Sequence, residues 1–326
     1  MAAKTATLLP AASGYRLYSA LESPIFAKSL VSRYYPTTIS GRITCNDILP
    51  TEIKSCGNQV VFRRAPVAEI FRYQQNQDLE VSQLNTRPDI MTVDRSFYYN
   101  LKLDEITEQQ TCDIRTWVSE FRDSAVQVMA QQVDYELMTE IPAQVDCHNK
   151  GIRAGIRTGQ WNLGTSGAPV SVNATNLPEV LGRLAVVLNE QNAPTKDRWI
   201  ILPVSAQPLF WMNPILASAC MSGNGKSIIL TDGEMFPNVL GFNIIFSNIM
   251  PIYTDPVTGE QTFVILAGTG CATGFVMQLN KQEIIDKDPR SFSKYWRGLN
   301  LYGHKVLRPE NLAVLYATFD FTPPAV

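Results

Sequence analysis

Residues 89–104 read DIMTVDRSFYYNLKLD, with apolar and polar side chains in alternation. The apolar set on one face is Met91, Val93, Phe97, Tyr99, Leu101 and Leu103, interrupted by Arg95. A period of two residues is typical of a strand with one buried face. The stretch 58–65, NQVVFRRA, is a second predicted strand. We expect the two to pair as a long hairpin with a wide polar tip.

The apolar period becomes helical from residue 105 onward. One stripe runs along the predicted helix through Ile114, Trp117, Phe121, Ala125, Val128, Val133, Leu137 and Ile141. No Pro or Gly interrupts this stretch before Pro142, so the helix is expected to end at residue 141. About 37 residues at 1.5 Å each give a helix about 55 Å long.

These two elements are long for a chain of 326 residues. A compact domain of that size has a diameter of about 50 Å, and a strand over 89–104 would also reach about 50 Å. An isolated hairpin is marginally stable in water, and a bare apolar face on it invites aggregation. We therefore expect the hairpin to lie on a neighbouring copy of the chain.

The charged residues between 58 and 104 are balanced in number. The basic set is Arg63, Arg64, Arg72, Arg87, Arg95 and Lys102, and the acidic set is Glu69, Asp78, Glu80, Asp89, Asp94 and Asp104. A balanced arm can pair with copies of itself in a closed assembly. Ordinary solvated ion pairs, which contribute little each, explain the same pattern. Both interpretations are open at this point.

Composition restricts the class of protein. Hydrophobic residues make up 45% of the chain and charged residues 18%, which is typical of a globular protein whose charge-poor surface is covered by other protein. The net charge of −2 offers no basic excess for sequence-specific nucleic-acid binding. The six cysteines form no CxxC pair and are expected to be reduced thiols. Neither a signal peptide nor a membrane-spanning run is predicted, so the product is expected to stay in the cell that makes it.

The second half of the chain alternates helices and strands. Helices are predicted over 177–191 and from about 205, and a fully buried strand over 199–203, WIILP. Further strands are predicted over 227–230, 241–247, 261–266, 274–278 and 313–321. At the other end, 28–41 is predicted to be an extended arm in which Tyr34 and Tyr35 dock against a partner.

No catalytic, cofactor-binding or metal-binding residue is predicted. The stretch 222–227, SGNGKS, lacks the first glycine of a phosphate-binding loop, because Cys220 occupies that position. His148 and His304 have no ligand or dyad spacing around them. The basic and aromatic stretch 281–308 has two interpretations: a platform for DNA phosphates, or a subunit interface anchored by Trp296, Arg297 and Tyr302.

The order of elements resembles a known family. Two stretches carry the local likeness: 197–212, DRWIILPVSAQPLFWM, and 241–251, GFNIIFSNIMP. Together with the arm, hairpin and long helix, they resemble the tailed-bacteriophage (Caudoviricetes) major capsid protein, whose fold is named for phage Hong Kong 97. The resemblance implies an α+β fold with five parts. These are an N-terminal arm (1–56), an extended hairpin or E-loop (57–104), a peripheral domain (105–176) with a spine helix (105–141), an axial α/β domain (177–280) and a return to the peripheral domain (281–326).

The resemblance also implies a function. The chain is expected to be a capsid subunit that forms hexamers and pentamers of an icosahedral virion shell around double-stranded DNA, assembled in the host cytoplasm. Its expected partners are itself, a separate scaffolding protein, a portal, a decoration protein in some relatives, and DNA contacted without sequence specificity, but no membrane. The interface candidates are Tyr34, Tyr35, Arg63, Arg64, Arg72, Arg87, Arg95, Phe97, Tyr99, Trp296, Arg297 and Tyr302. An encapsulin-type nanocompartment and a soluble enzyme without a recognisable site are the alternatives.

Overall fold

A computed structural model describes most of the chain after the N-terminal segment. The described residues are 38–45, 58–63, 68–75, 77–78, 81, 88–110, 114–213, 239–254, 256, 259–270, 272–285 and 291–321. They belong to one contact unit, Tyr35–Val326. Five helices and twelve strands are described, and this mixture of separate sheets and helices confirms the predicted α+β class.

A four-stranded sheet lies beside the long helix. Its strands, in spatial order, are β1 (Thr44–Cys45), β10 (Thr273–Ile285), β11 (Ser293–Val306) and β4 (Arg95–Asp104). The β1–β10 pair is parallel, and the β10–β11 and β11–β4 pairs are antiparallel. Strand β11 is paired on both edges along most of its length, because β4 runs opposite it from Ser293↔Asp104 to Tyr302↔Arg95.

A six-stranded sheet forms the larger part of the core. Its spatial order is β5 (Val170–Val172), β12 (Leu312–Phe319), β9 (Gln261–Thr269), β6 (Arg198–Pro203) and β7 (Phe242–Ser247), and β8 (Ile252–Thr254) pairs with β9. All six residues of β6 are buried, as the apolar run predicted. The helices α4 (Leu177–Glu190) and α5 (Gln207–Met212) flank this sequence region, so the predicted helices and strands over 177–213 are confirmed.

The remaining elements lie towards the start of the chain. They are α1 (Ser40–Ile43), the two-stranded pair β2 (Gln59–Arg63) and β3 (Pro88–Thr92), α2 (Glu105–Gln110) and α3 (Ile114–Gln144). The C-terminal half of α3 enters the main core, where Leu137, Met138 and Ile141 are fully buried with residues of α4 and the six-stranded sheet.

The predicted long hairpin is wrong over half of its length. The strand 89–104 divides at Val93 and Asp94; β3 pairs with β2, but β4 pairs with β11. The physical reason is that β11, which was not predicted as a strand, offers β4 a full-length partner inside the same subunit. We call the hairpin segment 58–94 the arm; it is distinct from the N-terminal arm. Its two-stranded part is therefore five residues long, or about 17 Å.

The predicted helix over 105–141 also differs in its bounds. Helices are described over Glu105–Gln110 and Ile114–Gln144, with residues 111–113 outside the described part. Pro142 lies inside α3 instead of ending it. Proline removes the hydrogen bond to the preceding turn, but residues just after it can keep helical dihedral angles when the helix ends within a few residues.

The remaining strand predictions have mixed outcomes. Those over 241–247, 261–266, 274–278 and 313–321 are confirmed as β7, β9, β10 and β12, and β10 is longer than expected. The predicted strand over 227–230 and the stretch 222–227 lie outside the described residues.

The bend between β3 and β4 crosses directly over Gly303 of β11. A Cβ atom at this position would overlap the carbonyl oxygen of Thr92 and would lie 3.0 Å from the Cα atom of Val93. Both obstacles are backbone atoms, so they cannot rotate away as a flexible side chain would. Glycine at 303 is what allows the chain to pass from the arm into the four-stranded sheet.

Replacing this glycine tests the crossing. We expect Gly303→Ala to lower the free energy of unfolding by about 1–3 kcal/mol, because the added carbon forces a backbone shift. Gly182→Ala is the matched control: Gly182 lies in α4 with nothing within 4 Å of an added Cβ, and this change should stabilise the helix by about 0.5–1 kcal/mol. Urea unfolding of unassembled subunits measures both. Equal effects of the same sign would contradict the assignment.

Candidate assembly surfaces

The base of the arm is fixed to its own subunit by a small apolar cluster. Val60, Met91, Val93 and Val276 are each at most 4% exposed and form a core separate from the main one. Lys305 adds a polar contact, since its Nζ donates to the carbonyl oxygen of Ile90 at 2.8 Å. One face of the β2–β3 pair is therefore held against the four-stranded sheet.

The other face of the arm is bare within the described part of the subunit. Val61 and Ile90 are cross-strand partners, and 56% and 46% of their surfaces are exposed. Farther along the arm, more apolar side chains are exposed: Ile70 (94%), Phe71 (47%), Tyr73 (66%) and Val81 (87%). We call these six residues the arm surface. Apolar side chains that share one segment in this way indicate a surface covered by a partner.

A network of charged and polar groups ties the root of the arm to the long helix. Arg95 at the start of β4 donates from Nη1 to Glu140 Oε1 at 2.5 Å and from Nη2 to Glu140 Oε2 at 2.7 Å. Its Nη1 also donates to Glu136 Oε2 at 3.3 Å. The Tyr302 hydroxyl of β11 donates to the same Glu136 oxygen. A bidentate arginine–carboxylate pair fixes orientation as well as distance, so β4, β11 and α3 are held together here.

The same network sets the protonation of its members. The hydrogen bonds and charge of Arg95 lower the pKa of Glu140 despite partial burial. Burial lowers the pKa of His304, whose Nε2 lies 3.3 Å from Glu140 Oε2, and the positive charge of Arg95 lowers it further. Burial and the hydrogen bond to Glu136 raise the pKa of Tyr302. At neutral pH, Glu140 is therefore ionised, His304 is neutral, and Tyr302 keeps its proton as a donor.

A second bare surface lies on the N-terminal half of α3. Trp117, Phe121 and Val128, from the predicted apolar stripe, are 56%, 38% and 49% exposed, whereas Leu137 and Ile141 from the same stripe are buried. The stripe thus has a half that packs in its own core and a half left open, which we call the helix surface. Tyr99 of β4 meets its edge, with ring centroids 6.3 Å from Phe121.

The helix also holds the point where the N-terminal segment enters the described structure. Asp134 of α3 accepts hydrogen bonds from the backbone N–H groups of Ile39, at 2.8 Å, and Ser40, at 3.0 Å. Burial raises the pKa of Asp134, and these two donors act in the opposite direction. The carboxylate acts as a cap for α1 supplied by another helix.

The predicted interface residues have different fates. Tyr34, Tyr35, Arg64 and Arg87 lie outside the described residues, and Arg63 is described only as backbone in β2. Arg72 and Arg297 are exposed, and Trp296 is half-buried. Arg95, Phe97 and Tyr99 are half-buried and make contacts within their own subunit.

Tyr302 is wrong as an interface candidate. Its side chain is fully buried, because β11 turns it towards α3 and the rings of Phe97 and Phe275. Its hydroxyl serves the internal network instead of a neighbouring copy.

The basic stretch 281–308 is partly neutralised within the subunit. Lys281 and Arg297 lie 3.4 and 3.0 Å from the Glu283 carboxylate, and Lys294 lies 2.7 Å from Glu108. Lys287 and Arg290 are outside the described residues. These ion pairs engage three of the five lysine and arginine side chains described in the stretch, which weakens the DNA-platform interpretation.

Sequence reasoning missed the acidic anchors Asp134, Glu136 and Glu140. A signal was present, because Arg95 interrupts an otherwise apolar strand face and Glu136 and Glu140 are one helical turn apart beside a buried stripe. An arginine on a buried face requires a carboxylate partner, and an i,i+4 acidic pair on the adjacent helix is the natural candidate.

A small polar cluster lies just after α3. Asp146 Oδ1 is 2.9 Å from His148 Nδ1, and Cys147 Sγ is 3.4 Å from the same nitrogen, so the structure brings a third group to the Cys–His pair. Asp146 also accepts from the His148 backbone N–H. Three adjacent residues supply three donor groups, whereas a structural zinc site takes four. These hydrogen bonds account for the cluster as a cap on the short turn Cys147–Asn149.

None of the described helices combines the length and apolar character that crossing a lipid bilayer requires.

The protonation of His304 predicts a pH dependence of stability. The pKa of His304 in the folded state lies below the ordinary value of 6.5. Its contribution to stability is therefore complete above about pH 6.5 and is lost as the pH falls from there through the folded-state pKa. Glu140 acts in the same direction, but below its ordinary value of 4.5. We expect unassembled subunits to lose stability between about pH 7.5 and about pH 5.5.

Variants separate the two groups in the same urea-unfolding assay. His304→Asn should flatten the upper part of the profile. Glu140→Gln should remove the loss of stability below about pH 4.5 and leave the upper part in place, because Glu140 raises the pKa of His304 and its removal lowers that pKa further. The same slope in the wild type and in His304→Asn between about pH 7.5 and about pH 5.5 would refute the assignment.

Comparisons with known proteins place this geometry in a fold family. No protein-family model matches the chain, and no curated protein matches its sequence. Solved structures do match. A chain from Mycobacterium phage Che8 has a TM-score of 0.66 at 18% identity, with 93% of this chain and 98% of that chain covered.

Two phage capsid structures give the same result. A chain from the capsid of the cyanophage P-SCSP1u has a TM-score of 0.69 at 19% identity over 92% of this chain and 94% of that chain. A chain from the capsid of Ralstonia phage GP4 has a TM-score of 0.60 at 12% identity over 98% and 100%. Since the match extends over nearly the whole of both chains, the family resemblance predicted the fold correctly. The chain has the fold of phage capsid proteins.

Proposed function

We propose that this chain is the major capsid protein of a tailed bacteriophage, a structural subunit that self-assembles into the hexamers and pentamers of an icosahedral shell. The observation that carries the proposal is the arm surface. Its base is anchored in its own subunit, and its apolar outer face is bare. Combined with a capsid fold, this arrangement indicates that identical neighbours cover the arm.

The five-part division that the family resemblance implies is also part of the proposal. We assign 57–104 to the E-loop, 105–176 to the peripheral domain, 177–280 to the axial domain and 281–326 to the return, with 1–56 as the N-terminal arm. The root of the E-loop is shorter than a free hairpin over the whole range, because β4 belongs to the four-stranded sheet. The described helices that correspond to the spine are α2 and α3.

Assembly supplies what the single chain lacks. Each copy offers an arm surface and a helix surface, and many modest contacts per subunit add up through avidity. The charged residues still bare on the arm, such as Glu69, Arg72 and Asp78, have both signs, which suits contacts between identical chains. Catalysis is not part of this proposal, and the role of the polar clusters is to hold the fold.

The remaining partners belong to the same proposal. A separate scaffolding protein and a portal would act during assembly in the host cytoplasm, and a decoration protein is a further candidate. The shell would enclose double-stranded DNA without reading its sequence, as part of the virion. Purified shells that contain a protein cargo and no DNA would favour the nanocompartment alternative.

A substitution on the arm surface tests the proposal. Ile70→Asp changes a side chain that is 94% exposed, so the subunit should melt as the wild type does. If neighbouring copies cover Ile70, the buried charge should reduce the yield of shells by about tenfold or more. Gln75→Asp is the matched control, because it adds the same charge to an exposed polar position of the same segment.

Size-exclusion chromatography and negative-stain microscopy measure the proportion of each variant that assembles into shells. The proposal requires shells from the wild type and from Gln75→Asp, and dispersed, folded subunits from Ile70→Asp. Dispersed wild-type subunits under all assembly conditions would contradict it, as would full assembly of Ile70→Asp.

A further inference from the structure

The segment between α3 and β5 contains a short internal repeat. Residues 151–159 read GIRAGIRTG, in which the unit Gly-Ile-Arg occurs twice at a spacing of four residues. Gly151, Gly155 and Gly159 all have positive φ, at 88°, 104° and 58°. Glycine adopts this region without steric penalty, so the repeat sets the course of the backbone. We call residues 150–157 the Ile-Arg loop.

The Ile-Arg loop is rigidly supported. Ala154 and Trp161 exchange backbone hydrogen bonds at 2.8 and 3.1 Å, and the Gly155 N–H donates to the His148 carbonyl at 2.7 Å. Below it, the buried Asn149 side chain donates to the carbonyl oxygens of Glu310 and Leu312, both at 2.8 Å. The loop is fixed at both ends before any partner arrives.

The carboxylate nearest the loop is used by its backbone. Glu190 accepts from the N–H groups of Arg157, at 2.9 Å, and Thr158, at 3.3 Å, from the Thr158 hydroxyl at 2.7 Å, and from Trp161 Nε1 at 3.2 Å. Although burial opposes the change, these donors lower the pKa of Glu190. Glu190 therefore holds the loop and does not neutralise its arginine side chains.

What the loop presents to solvent is both apolar and cationic. Ile152 and Ile156 are 54% and 48% exposed. Arg153 and Arg157 are exposed, and their guanidinium groups contact no carboxylate among the described residues. Arginine beside apolar side chains is typical of protein interfaces. A site for nucleic-acid phosphates would not require the two exposed isoleucines, because phosphates bind to cations and hydrogen-bond donors.

A cleft with the complementary character lies at the start of α2. It has a volume of about 730 Å³ and is lined by Asp104, Glu105, Ile106 and Phe292, among others. Ile106 is 65% exposed and Phe292 86% exposed. The cleft thus offers two carboxylates beside two bare apolar side chains.

Two of the described cations near this cleft are engaged elsewhere. The Lys294 ammonium lies 2.7 Å from Glu108, and Lys102 lies over the ring of Tyr295 at 5.8 Å. Asp104 accepts one backbone hydrogen bond, from the Ile106 N–H at 3.2 Å, which leaves acceptor capacity on its carboxylate. The charged side chains among the described lining residues of the cleft are therefore negative.

We propose that the Ile-Arg loop of one subunit docks into the α2 cleft of a second copy. Arg153 and Arg157 would pair with Asp104 and Glu105, and the isoleucines would cover Ile106 and Phe292. Two different patches on each copy make a head-to-tail contact, and such a contact closes into a ring when the rotation per subunit is suitable. The inference rests on the proposed shell function and names one pair of surfaces that builds the ring.

Charge reversal with rescue tests the docking. Arg153→Glu combined with Arg157→Glu is the loop variant, and Asp104→Arg combined with Glu105→Arg is the cleft variant. Each should melt as the wild type does, because these side chains are exposed, and each should reduce the yield of shells by about tenfold or more. The paired variant, which carries all four changes, should recover most of the wild-type yield. Lys196→Glu, at an exposed cation of another loop, is the control that should assemble normally.

The outcomes are distinguishable. If the wild type forms no shells, the proposed function fails. If the wild type forms shells and the loop variant does so equally well, the docking inference alone is overturned. It is also overturned if the paired variant is no better than the two separate variants. Normal shells from the loop variant that retain less DNA would overturn it in favour of a nucleic-acid contact.

Discussion

The ion pair between Arg95 and Glu140 is the interaction on which the rest of the subunit depends. It lies where the arm meets the four-stranded sheet and the long helix. The pairing of β4 with β11 and the close packing of Thr92 and Val93 on Gly303 fix the direction in which the arm extends from the sheet. Beyond this root, the β2–β3 pair is short and its outer face is bare. A two-stranded pair of that kind has little stability of its own, so a partner has to supply the rest.

The division between what is buried and what is open runs along single elements. Helix α3 has Leu137 and Ile141 in its own core and Trp117 in solvent, and the β2–β3 pair has a covered face and an open face. A neighbouring subunit that covers the exposed half of such an element is thereby positioned relative to the core of the first subunit. Neutral His304 lies beside Glu140 at this root, so its protonation in acid destabilises the folded subunit.

Much of the fold could be predicted from periodicity. The run WIILP predicted a strand buried on both faces, and α4 followed from its apolar stripe. Strand β11 was not predicted, because its aromatic, basic and glycine residues, SKYWRGLNLYGHKV, do not alternate simply. Gly298 and Gly303 occur there because of neighbours: the Tyr99 ring lies against the first, and the crossing chain lies over the second. Close approaches between distant segments leave no local period, so the pairing of β4 could not be predicted from the residues of β4 alone.

The candidate surfaces were predicted less completely than the fold. The exposure of the arm was predicted from its length. Tyr302 was predicted to lie at a subunit interface, but its side chain is buried within the subunit. The Ile-Arg repeat has no period typical of a helix or a strand. Its role as a cationic surface depends on Glu190, whose carboxylate accepts hydrogen bonds from Arg157 N–H and the Thr158 hydroxyl. The most direct test of the account is a cryo-electron microscopy reconstruction of the assembled wild-type protein. We expect density from a second copy over Ile70, Phe71 and Tyr73. Solvent around these side chains in the finished particle, or their burial within their own subunit, would contradict the account.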